Sequence, residues 1–210
     1  MRPLTPPADS GLSMPEFDQP PAHPLPLAAA WLDAAIQHPI LEAAAATLAT
    51  ADGMGRVTSR AIAVKAIDNK GAIFGSSLTS RKARDIAENP YGSLSFYWRP
   101  TIQQLLLHGR IEQLSDAESD SVWAGRARVA QAASTVAITG QPLASEAKLA
   151  EQATSLAAAD GPIPRPAQWA AFRLIPDEVE FWHGRPSRLH RRLHYVQDDL
   201  GRWIATRLQP

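Results

Sequence analysis

Aromatic and basic residues near the C-terminus have the spacing that a site for a flat, anionic ligand would need. The sequence reads Phe-Trp-His-Gly at 181–184, and basic side chains follow at alternate positions, at Arg188, His190 and Arg192. The indole of Trp182 can stack on a planar ring, and guanidinium groups present paired donors that fit a phosphate or a carboxylate. In a strand, the three alternate basic residues project from one face. The pattern predicts a flavin or aromatic-acid site, and a solvated basic edge strand is its alternative.

A second basic group lies in the first half of the chain. Arg60 and Lys65 fall in one predicted strand, Ser76 ends the next strand, and Arg81 and Lys82 open a predicted helix. The free backbone amides of a helix N-terminus bind phosphate well, and the two basic residues add positive charge there. We interpret this group as a phosphate site. Its alternative is the exposed first turn of an ordinary helix.

Other common cofactor motifs are missing from the sequence. The glycines at 53 and 55 lack the third glycine and the helix of a dinucleotide-binding loop, and no glycine loop ends in Lys-Ser or Lys-Thr. His190 and His194 are four residues apart, but a zinc site normally needs three protein ligands and the neighbouring residues are cationic. We therefore predict no metal site and no nicotinamide cofactor.

The composition narrows the class of protein. The 210 residues contain 21 Lys and Arg against 21 Asp and Glu, so no net positive field attracts nucleic acid or an anionic membrane. The chain has no cysteine, which removes disulfides and thiolate chemistry and is typical of a reducing compartment. No signal peptide or long apolar span is recognisable. We expect a cytoplasmic protein that binds neither nucleic acid nor membrane.

The hydrophobic pattern predicts a fold that is mainly β with α additions. Eight of the 18 prolines fall within residues 1–26, which we predict to be a flexible arm, and residues 27–210 are predicted to form a single domain. Strands are predicted over 44–50, 57–67, 72–76, 92–98, 102–114, 169–174, 179–183, 189–196 and 202–208. Helices are predicted over 27–37, 80–89, 115–125 and 143–158. Because consecutive strands are joined by hairpins, we expect an antiparallel closed or split barrel.

These segments, taken in order, resemble the pyridoxamine 5′-phosphate oxidase family. The matching motifs are Arg-Ala-Ile-Ala-Val-Lys at 60–65, Ser-Arg-Lys at 80–82 with Glu-Asn-Pro at 88–90, Gln104, Phe-Trp-His-Gly at 181–184 and Arg-Leu-His at 188–190. The resemblance extends over about residues 44–210. It implies an FMN-binding split β-barrel that forms a homodimer and holds FMN at the subunit interface, and hence an FMN-dependent oxidoreductase.

The resemblance also implies a role for individual residues. The cofactor-binding positions are Arg60, Ala61, Ile62, Ala63, Val64, Lys65, Gly75, Ser76, Arg81, Lys82, Gln104, Thr139, Gly140, Trp182 and Arg192. The substrate-binding positions are Lys65, Val122, Arg126, Ala130, Arg188 and His190. No residue is assigned as a certain catalytic group, and His190 is a candidate proton shuttle or a hydrogen-bond partner of the substrate. Thr139 and Gly140 replace a Gln-Ser pair of the family, and Gln141 is the alternative flavin contact.

Two substrate positions differ from those of the vitamin B6 enzymes in this family. Where those enzymes have a tyrosine and a serine, this chain has Val122 and Ala130, while Lys65 and Arg126 are kept. A hydrogen bond to a charged group is worth about 1.5–3 kcal/mol, so affinity for a phosphate ester should drop. The resulting pocket is roomier and more apolar, which suits an aromatic carboxylic acid.

The function that the resemblance implies is an FMN-dependent oxidase of phenazine (antibiotic) biosynthesis. The Gly-Pro-Ile-Pro-Arg-Pro segment at 161–166 and the Arg-Leu-Gln-Pro ending at 207–210 resemble that branch of the family. Such an oxidase takes a partly reduced hexahydro- or tetrahydrophenazine carboxylic acid toward the aromatic state, with O2 as acceptor. The alternatives are a pyridoxamine/pyridoxine 5′-phosphate oxidase and a non-catalytic flavin-binding barrel. The oxidation step, the number of carboxylates on the substrate and the contacts of the N-terminal arm stay open.

Overall fold

The structure is a computed structural model that describes residues 10–38 and 40–210. Within these ranges, eight strands form one antiparallel sheet: β1 (Ala45–Ala51), β2 (Val57–Asp68), β3 (Gly71–Ser77), β4 (Tyr91–Trp98), β5 (Gln103–Gln113), β6 (Trp169–His183), β7 (Arg191–Gln197) and β8 (Trp203–Leu208). The strand order is β3-β2-β1-β4-β5-β6-β7-β8, and β3 also pairs with β6. Strands β1 to β6 therefore close into a barrel, and β7 and β8 extend the sheet from β6. The predicted mainly β fold with a split barrel is confirmed.

Alternation along the strands places one row of apolar side chains inside the barrel. Leu48 pairs with Leu94, Leu94 pairs with Leu107, and Leu107 pairs with Val179. All four side chains are completely buried. Because successive side chains of a strand point to opposite faces, the residues between these core positions face outward. Predicted site residues such as Ala61 and Ala63 therefore face outward, whereas Arg60 pairs with Leu48 and Val64 pairs with Phe74 on the inner face.

An irregular ladder lets β6 bend around the barrel. The register between β5 and β6 shifts at His108 and Gly109, where a Cβ on Gly109 would lie 2.1 Å from the carbonyl oxygen of Ile175. Strand β6 runs unbroken over 15 residues, and its first half pairs with β3 while its second half pairs with β7. The prediction of two separate strands over 169–174 and 179–183 is wrong, because a β-bulge absorbs the bend without ending the strand.

Five α-helices of the described ranges surround the barrel: α1 (Pro24–Gln37), α2 (Arg81–Glu88), α3 (Asp116–Ala124), α4 (Arg128–Val136) and α5 (Glu146–Ala158). The predicted capping box begins α3, where the Ser115 hydroxyl accepts from the amide of Glu118 and the Glu118 carboxylate accepts from the amide of Ser115. The sequence pattern does not predict α4, since its N-cap residue, Ala127, has no side chain that could mark the start. Across the described part of the chain, no helix has both the length and the apolar character needed to span a membrane.

The proline-rich N-terminal segment is packed against the barrel. The guanidinium of Arg191 lies over the ring of Phe17, 4.8 Å from its centroid, and also pairs with Asp18 at 2.7 Å. The hydroxyl of Tyr195 donates a hydrogen bond to the carbonyl of Pro21 at 3.0 Å. Burial raises the pKa of Tyr195 to about 12, so this hydroxyl keeps its proton at neutral pH. These contacts join β7 to the segment that precedes α1.

The flexible arm predicted for residues 1–26 stays a prediction, and in its described part, residues 10–26, the chain packs against β7. Few large apolar residues occur there, but Met14 and Leu25 are buried, and burial of a few such side chains is enough to order a short segment. The remainder of the predicted arm lies outside the described residues. A single domain over 27–210 stays a prediction.

Candidate functional site

The first subsite lies where β3 ends and α2 begins. Ser80 caps α2, and its hydroxyl accepts a hydrogen bond from the amide of Ala83 at 3.3 Å. The hydroxyls of Ser76 and Ser80 lie 3.0 Å apart, and Lys82 Nζ donates to Ser76 Oγ at 3.1 Å. The turn thus gathers hydroxyls, an ammonium group and the free amides of a helix N-terminus, all of which donate hydrogen bonds to phosphate. We call Ser76, Ser80, Arg81 and Lys82 the phosphate cradle.

Asp85 fixes the neighbouring arginine beside this cradle. Its buried carboxylate accepts hydrogen bonds from Thr50 at 2.7 Å and from Thr58 at 3.0 Å. Arg60 donates to the same two hydroxyls at 2.8 and 2.6 Å, and lies 3.7 Å from the carboxylate itself. Arg81 lies 3.8 Å from the other carboxylate oxygen. One acid therefore orients two of the predicted FMN-binding arginines.

Strand β2 presents a flat outer surface next to the cradle. Ala61 and Ala63 are exposed and carry only a methyl group, Ile62 is half-buried, and Val64 is buried in the core. Because small side chains stand outward along the 60–65 stretch, a planar ring can approach its backbone closely. That the stretch passes a flavin ring stays a prediction.

Lys65 occupies an irregular position on the same strand. Val64 pairs with Phe74, but the next ladder pair joins Ala66 to Ile73, so Lys65 is the extra residue of a β-bulge. Bulges change the direction of a side chain and are common beside active sites. The bulge explains how Lys65 leaves the regular alternation of β2, and no sequence signal indicated it.

Three cations of the site have no acidic partner. Burial lowers the pKa of Lys82, and the positive charge of Arg60 lowers it further. Burial likewise lowers the pKa of Lys65, followed by the charge of Arg126, and burial lowers the pKa of Arg126. Among the described residues, no carboxylate lies within ion-pair distance of Lys65, Lys82 or Arg126. Lys82 and Arg126 are partly buried, whereas Lys65 is exposed. Cations without counter-charges are what an anion-binding site requires.

Two tryptophans hold Arg126. Its guanidinium lies 5.5 Å from the ring centroid of Trp123 and 5.1 Å from that of Trp169, within cation–π range of both. One terminal nitrogen donates to the Ser134 hydroxyl at 2.8 Å and to the carbonyl of Ala130 at 3.1 Å. Its Nε is buried without a hydrogen-bond partner in the described residues. The side chain is therefore rigidly placed and still has donor capacity.

A cavity of about 290 Å3 connects the phosphate cradle with Arg126. Its wall is formed by Gly75, Ser76, Ser77, Lys82, Arg126, Ala133, Ser134, Ala137, Thr139 and Trp169. A Cβ on Gly75 would lie 2.2 Å from the ring of Trp169, so only glycine lets this indole pack across the end of β3. Thr139 thus lies at the predicted site, whereas Gly140 is not part of the cavity wall and turns the chain with φ of 88°.

A second subsite forms one row across three strands. Gln104 pairs with Trp182, and Trp182 pairs with Arg192, so the three side chains share the outer face of β5, β6 and β7. Arg192 forms a bidentate pair with Glu180 at 2.7 and 2.8 Å, which raises the pKa of the arginine. The amide of Gln104 donates to Ser95 at 3.2 Å. The indole of Trp182 is the flat surface of this second subsite.

The predicted alternation of Arg188, His190 and Arg192 on one strand face is wrong. Strand β7 begins only at Arg191, and Arg188 has a left-handed backbone with φ of 65° in the turn before it. His190 lies in that turn with its ring 4.8 Å from the ring of Trp182, and its Nδ1 accepts from the amide of Arg185 at 3.1 Å. That bond leaves Nε2 of a neutral His190 as the donor.

The structure gathers the predicted residues into two groups. The first group contains the cradle, Arg60, Lys65, Arg126 and Thr139. The second group contains Gln104, Trp182, His190, Arg188 and Arg192. The carbonyl of Ala130 accepts from Arg126 and Val122 packs on the cluster around Trp123, but neither residue is part of the cavity wall. Within the described ranges, no side-chain hydrogen bond, ion pair or ring contact joins the two groups. In the same ranges no group of three His, Asp or Glu residues is placed to hold a metal ion. His194, one of the two histidines considered above, forms a hydrogen bond between its Nε2 and Oε1 of Glu178 at 2.7 Å.

Sequence reasoning missed four residues of the first group: Asp85, Trp123, Ser134 and Trp169. Asp85 and Trp169 act through partners that are distant in the sequence, and Ser134 lies on a helix that the pattern did not predict. Trp123 contacts Arg126, three residues away, just beyond the end of α3. Asp85 had one available signal, since an acid four residues after Arg81 lies on the same face of a helix. The others carry no local signature.

Two family models match the chain and between them span most of it. Residues 32–183 match the model described as pyridoxamine 5′-phosphate oxidase. Residues 169–210 match the model described as pyridoxine 5′-phosphate oxidase C-terminal dimerisation region. The second match begins with β6 and ends with β8, so it contains Trp182 and Arg192.

Individual relatives agree with these matches. The chain is 39% identical over 93% of its length to dihydrophenazinedicarboxylate synthase of Burkholderia lata, of which 92% is covered. It is 38% identical over 89% of its length to pyridoxine/pyridoxamine 5′-phosphate oxidase of Alcanivorax borkumensis, of which 90% is covered. The crystal structure of PhzG from Burkholderia lata 383 in complex with tetrahydrophenazine-1-carboxylic acid has a TM-score of 0.89 and 38% identity, covering 95% of this chain and 98% of that one. This chain belongs to the pyridoxamine 5′-phosphate oxidase family.

Proposed function

We propose that the protein is an FMN-dependent oxidase of phenazine biosynthesis, which oxidises a partly reduced phenazine carboxylic acid with O2 as acceptor. Sequence identity alone does not distinguish the two substrate classes, because the phenazine relative is 39% identical to the chain and the vitamin B6 relative is 38% identical. The observation that carries the choice is the residue type at Val122 and Ala130, which have no hydroxyl at the two positions where the vitamin B6 enzymes of the family carry one. The relative of known structure that carries a tetrahydrophenazine-1-carboxylic acid supports it.

The residues of the first group fit FMN. The cradle offers hydroxyl, ammonium and amide donors for the phosphate, and the exposed methyl groups of Ala61 and Ala63 leave room for a flat ring. Lys82 lacks an acidic partner in the described residues, so a bound phosphate would supply the missing negative charge. The chemistry that FMN supplies is two-electron oxidation with return of the electrons to O2.

The chain's own residues bind and orient the substrate. Lys65 and Arg126 hold the carboxylate, and Val122, which packs against the cluster around Trp123 and Trp169, offers an apolar surface to the rings. The Nε2–H of His190 can donate a hydrogen bond to an acceptor of the substrate, which is the hydrogen-bond role predicted for this residue as the alternative to a proton shuttle. Aromatisation of the substrate supplies the driving force, so a strong general base is not required.

We propose that the functional unit is a homodimer. Ser76 pairs with Ala170 near the start of β6, and Trp182 lies twelve residues further along that bent strand, a path of roughly 40 Å at about 3.3 Å per residue. One chain therefore presents its two groups of site residues apart, and a second copy can bring them together. Strand β8 is an exposed edge, and an apolar residue such as Ile204 is 52% exposed on it. The match to a dimerisation region covers this edge.

Sedimentation of the FMN-loaded protein is expected to give a dimer with two flavins at micromolar concentration. Association covers the exposed β8 edge and completes each site, so the monomer should bind FMN poorly. A stable monomer that holds a full equivalent of FMN at that concentration contradicts the dimer proposal.

The substrate choice is tested by restoring the family hydroxyls in the variant V122Y/A130S. Each new donor to a charged group contributes about 1.5–3 kcal/mol, so the affinity for pyridoxine 5′-phosphate should rise by at least 10-fold. The tyrosine ring also occupies space beside Arg126, so turnover of a reduced phenazine carboxylate should fall. Steady-state kinetics with both substrates measure the two effects.

The matched control is V122F/A130S, which adds the same ring without the phenolic hydroxyl. It should obstruct the phenazine acid as V122Y/A130S does but gain less affinity for the phosphate ester. If the wild-type protein already turns over pyridoxine 5′-phosphate efficiently and V122Y/A130S does not improve it, the phenazine proposal is wrong.

The second candidate function is a pyridoxamine/pyridoxine 5′-phosphate oxidase. The observation in its favour is that Lys65 and Arg126, two of the phosphate-binding positions of that family, are both retained without acidic partners among the described residues. The Alcanivorax borkumensis relative of that name is 38% identical. Efficient oxidation of pyridoxine 5′-phosphate by the wild-type chain would establish it.

A further inference from the structure

Ser134 lies on α4 and lines the cavity beside Arg126. Its hydroxyl oxygen accepts a hydrogen bond from the Arg126 guanidinium at 2.8 Å. The hydroxyl proton has no acceptor among the described residues. Neither the family resemblance nor the sequence pattern gave this residue a role.

The hydroxyl of Ser134 can donate a hydrogen bond to a ligand in the cavity. A serine hydroxyl has one proton and two lone pairs, and here one lone pair is taken by a cationic donor. A hydroxyl polarised in this way donates more strongly, because hydrogen bonds in a chain reinforce each other. Since the cavity also contains the desolvated ammonium of Lys82 and the guanidinium of Arg126, the acceptor that fits the Ser134 proton is an anion.

Ser134 lies one helical turn beyond Ala130. Residues four apart face the same side of a helix, so Ser134 projects over the same surface as the position where the vitamin B6 enzymes carry their serine. Four residues advance about 6 Å along a helix axis. The chain thus retains a hydroxyl for an anion but holds it about one turn further along α4.

We propose that Ser134 is a substrate-binding and specificity-determining residue that donates a hydrogen bond to the carboxylate of the substrate and positions Arg126 for the same carboxylate. The proposal rests on the proposed phenazine function. Moving the anion site one turn along α4 leaves the surface of Ala130 and Val122 free for the apolar rings. A phosphate ester with a single ring covers less of that surface than a three-ring acid does. Lys65, Arg126 and Ser134 then form the carboxylate site of this enzyme.

The test uses the FMN-loaded protein and its Ser134→Ala variant. The dissociation constant of phenazine-1-carboxylic acid, a stable aromatic carboxylate, is measured from the change that it causes in the visible absorbance of the bound flavin. Loss of a hydrogen bond to a charged group should raise this constant at least 10-fold. Phenazine without a carboxylate should bind equally to both proteins, and the dissociation constant of FMN should change less than twofold. Ser134→Thr, which keeps the hydroxyl, should restore most of the affinity.

The matched control is Thr135→Ala on the same helix. The Thr135 hydroxyl donates to the carbonyl of Gln131 at 2.9 Å and is not part of the cavity wall, so its loss should leave both dissociation constants unchanged. If Ser134→Ala weakens FMN instead of the acid, Ser134 belongs to the cofactor site and the proposal is wrong. If the variant binds the acid as tightly as the wild type, only the role of Ser134 fails. If the wild type binds no phenazine-1-carboxylic acid, the proposed function fails and the role of Ser134 fails with it.

Discussion

Replacing Arg126 by methionine is expected to raise the KM for a reduced phenazine carboxylate by roughly 100-fold and to leave the affinity for FMN nearly unchanged. One charge-assisted hydrogen bond is worth about 1.5–3 kcal/mol, which corresponds to 10- to 150-fold in a dissociation constant. The cation–π contacts with Trp123 and Trp169 fix the position of the guanidinium. Its buried Nε has no hydrogen-bond partner in the described residues and is a donor that an anion could use. Methionine is flexible enough to fill the space between the two indoles, so the fold should survive.

The Arg126→Lys variant separates the charge from the geometry of the guanidinium. An ammonium keeps the positive charge but cannot donate two parallel hydrogen bonds, so its KM should lie between those of the wild type and Arg126→Met. Steady-state kinetics and an FMN titration of the apoprotein measure the two quantities. A large rise in the FMN dissociation constant with an unchanged KM would place Arg126 in the cofactor site and contradict its proposed role in substrate binding.

Asp85→Ala should lower the free energy of unfolding of the apoprotein by about 3–5 kcal/mol, the cost of leaving a buried charge without its partner. Asp85 is only 4% exposed. Its removal leaves the guanidinium groups of Arg60 and Arg81 without the carboxylate that compensates their positive charges. Burial and the charge of Arg81 already lower the pKa of Arg60, whereas Asp85 raises it. The two threonine hydroxyls also lose their shared acceptor.

Addition of FMN should recover part of the stability that Asp85→Ala loses, because its phosphate brings negative charge to the cradle. Urea unfolding with and without FMN measures both effects. Asp85→Asn keeps an acceptor for Thr50 and Thr58 but removes the charge, so it should lose less stability than Asp85→Ala. A loss below 1 kcal/mol in Asp85→Ala would show that the carboxylate does not hold Arg60 in place.

The strands of the barrel could be predicted from the sequence because hairpin turns and alternating residues are local signals. The phosphate cradle could be predicted for the same reason, since Ser76 and Lys82 are close in the sequence and a capping serine lies between them. The row of Gln104, Trp182 and Arg192 needed the family resemblance. Residues that meet across three strands depend on register, which a single sequence does not state.

Other features could not be predicted because they depend on contacts between distant segments. Residues 10–26 have a composition typical of a flexible arm, yet Arg191 and Tyr195 hold them against β7. The turn at 188–190 interrupts an alternation of charges that looks like a strand, and its left-handed Arg188 has no sequence signature. The role of Ser134 depends on α4, a helix without a side-chain cap. In each case tertiary packing decides the conformation and can override the preference of the local sequence.

The most direct measurement is a comparison of two substrates with the FMN-loaded wild-type protein in air. A reduced phenazine carboxylic acid and pyridoxine 5′-phosphate are each mixed with the protein, and product spectra and hydrogen peroxide are followed over time. We expect the absorbance of an oxidised phenazine with peroxide release in the first mixture, and a much lower kcat/KM in the second. Rapid formation of pyridoxal 5′-phosphate, with no enzyme-dependent oxidation of the phenazine acid, would contradict the proposed function.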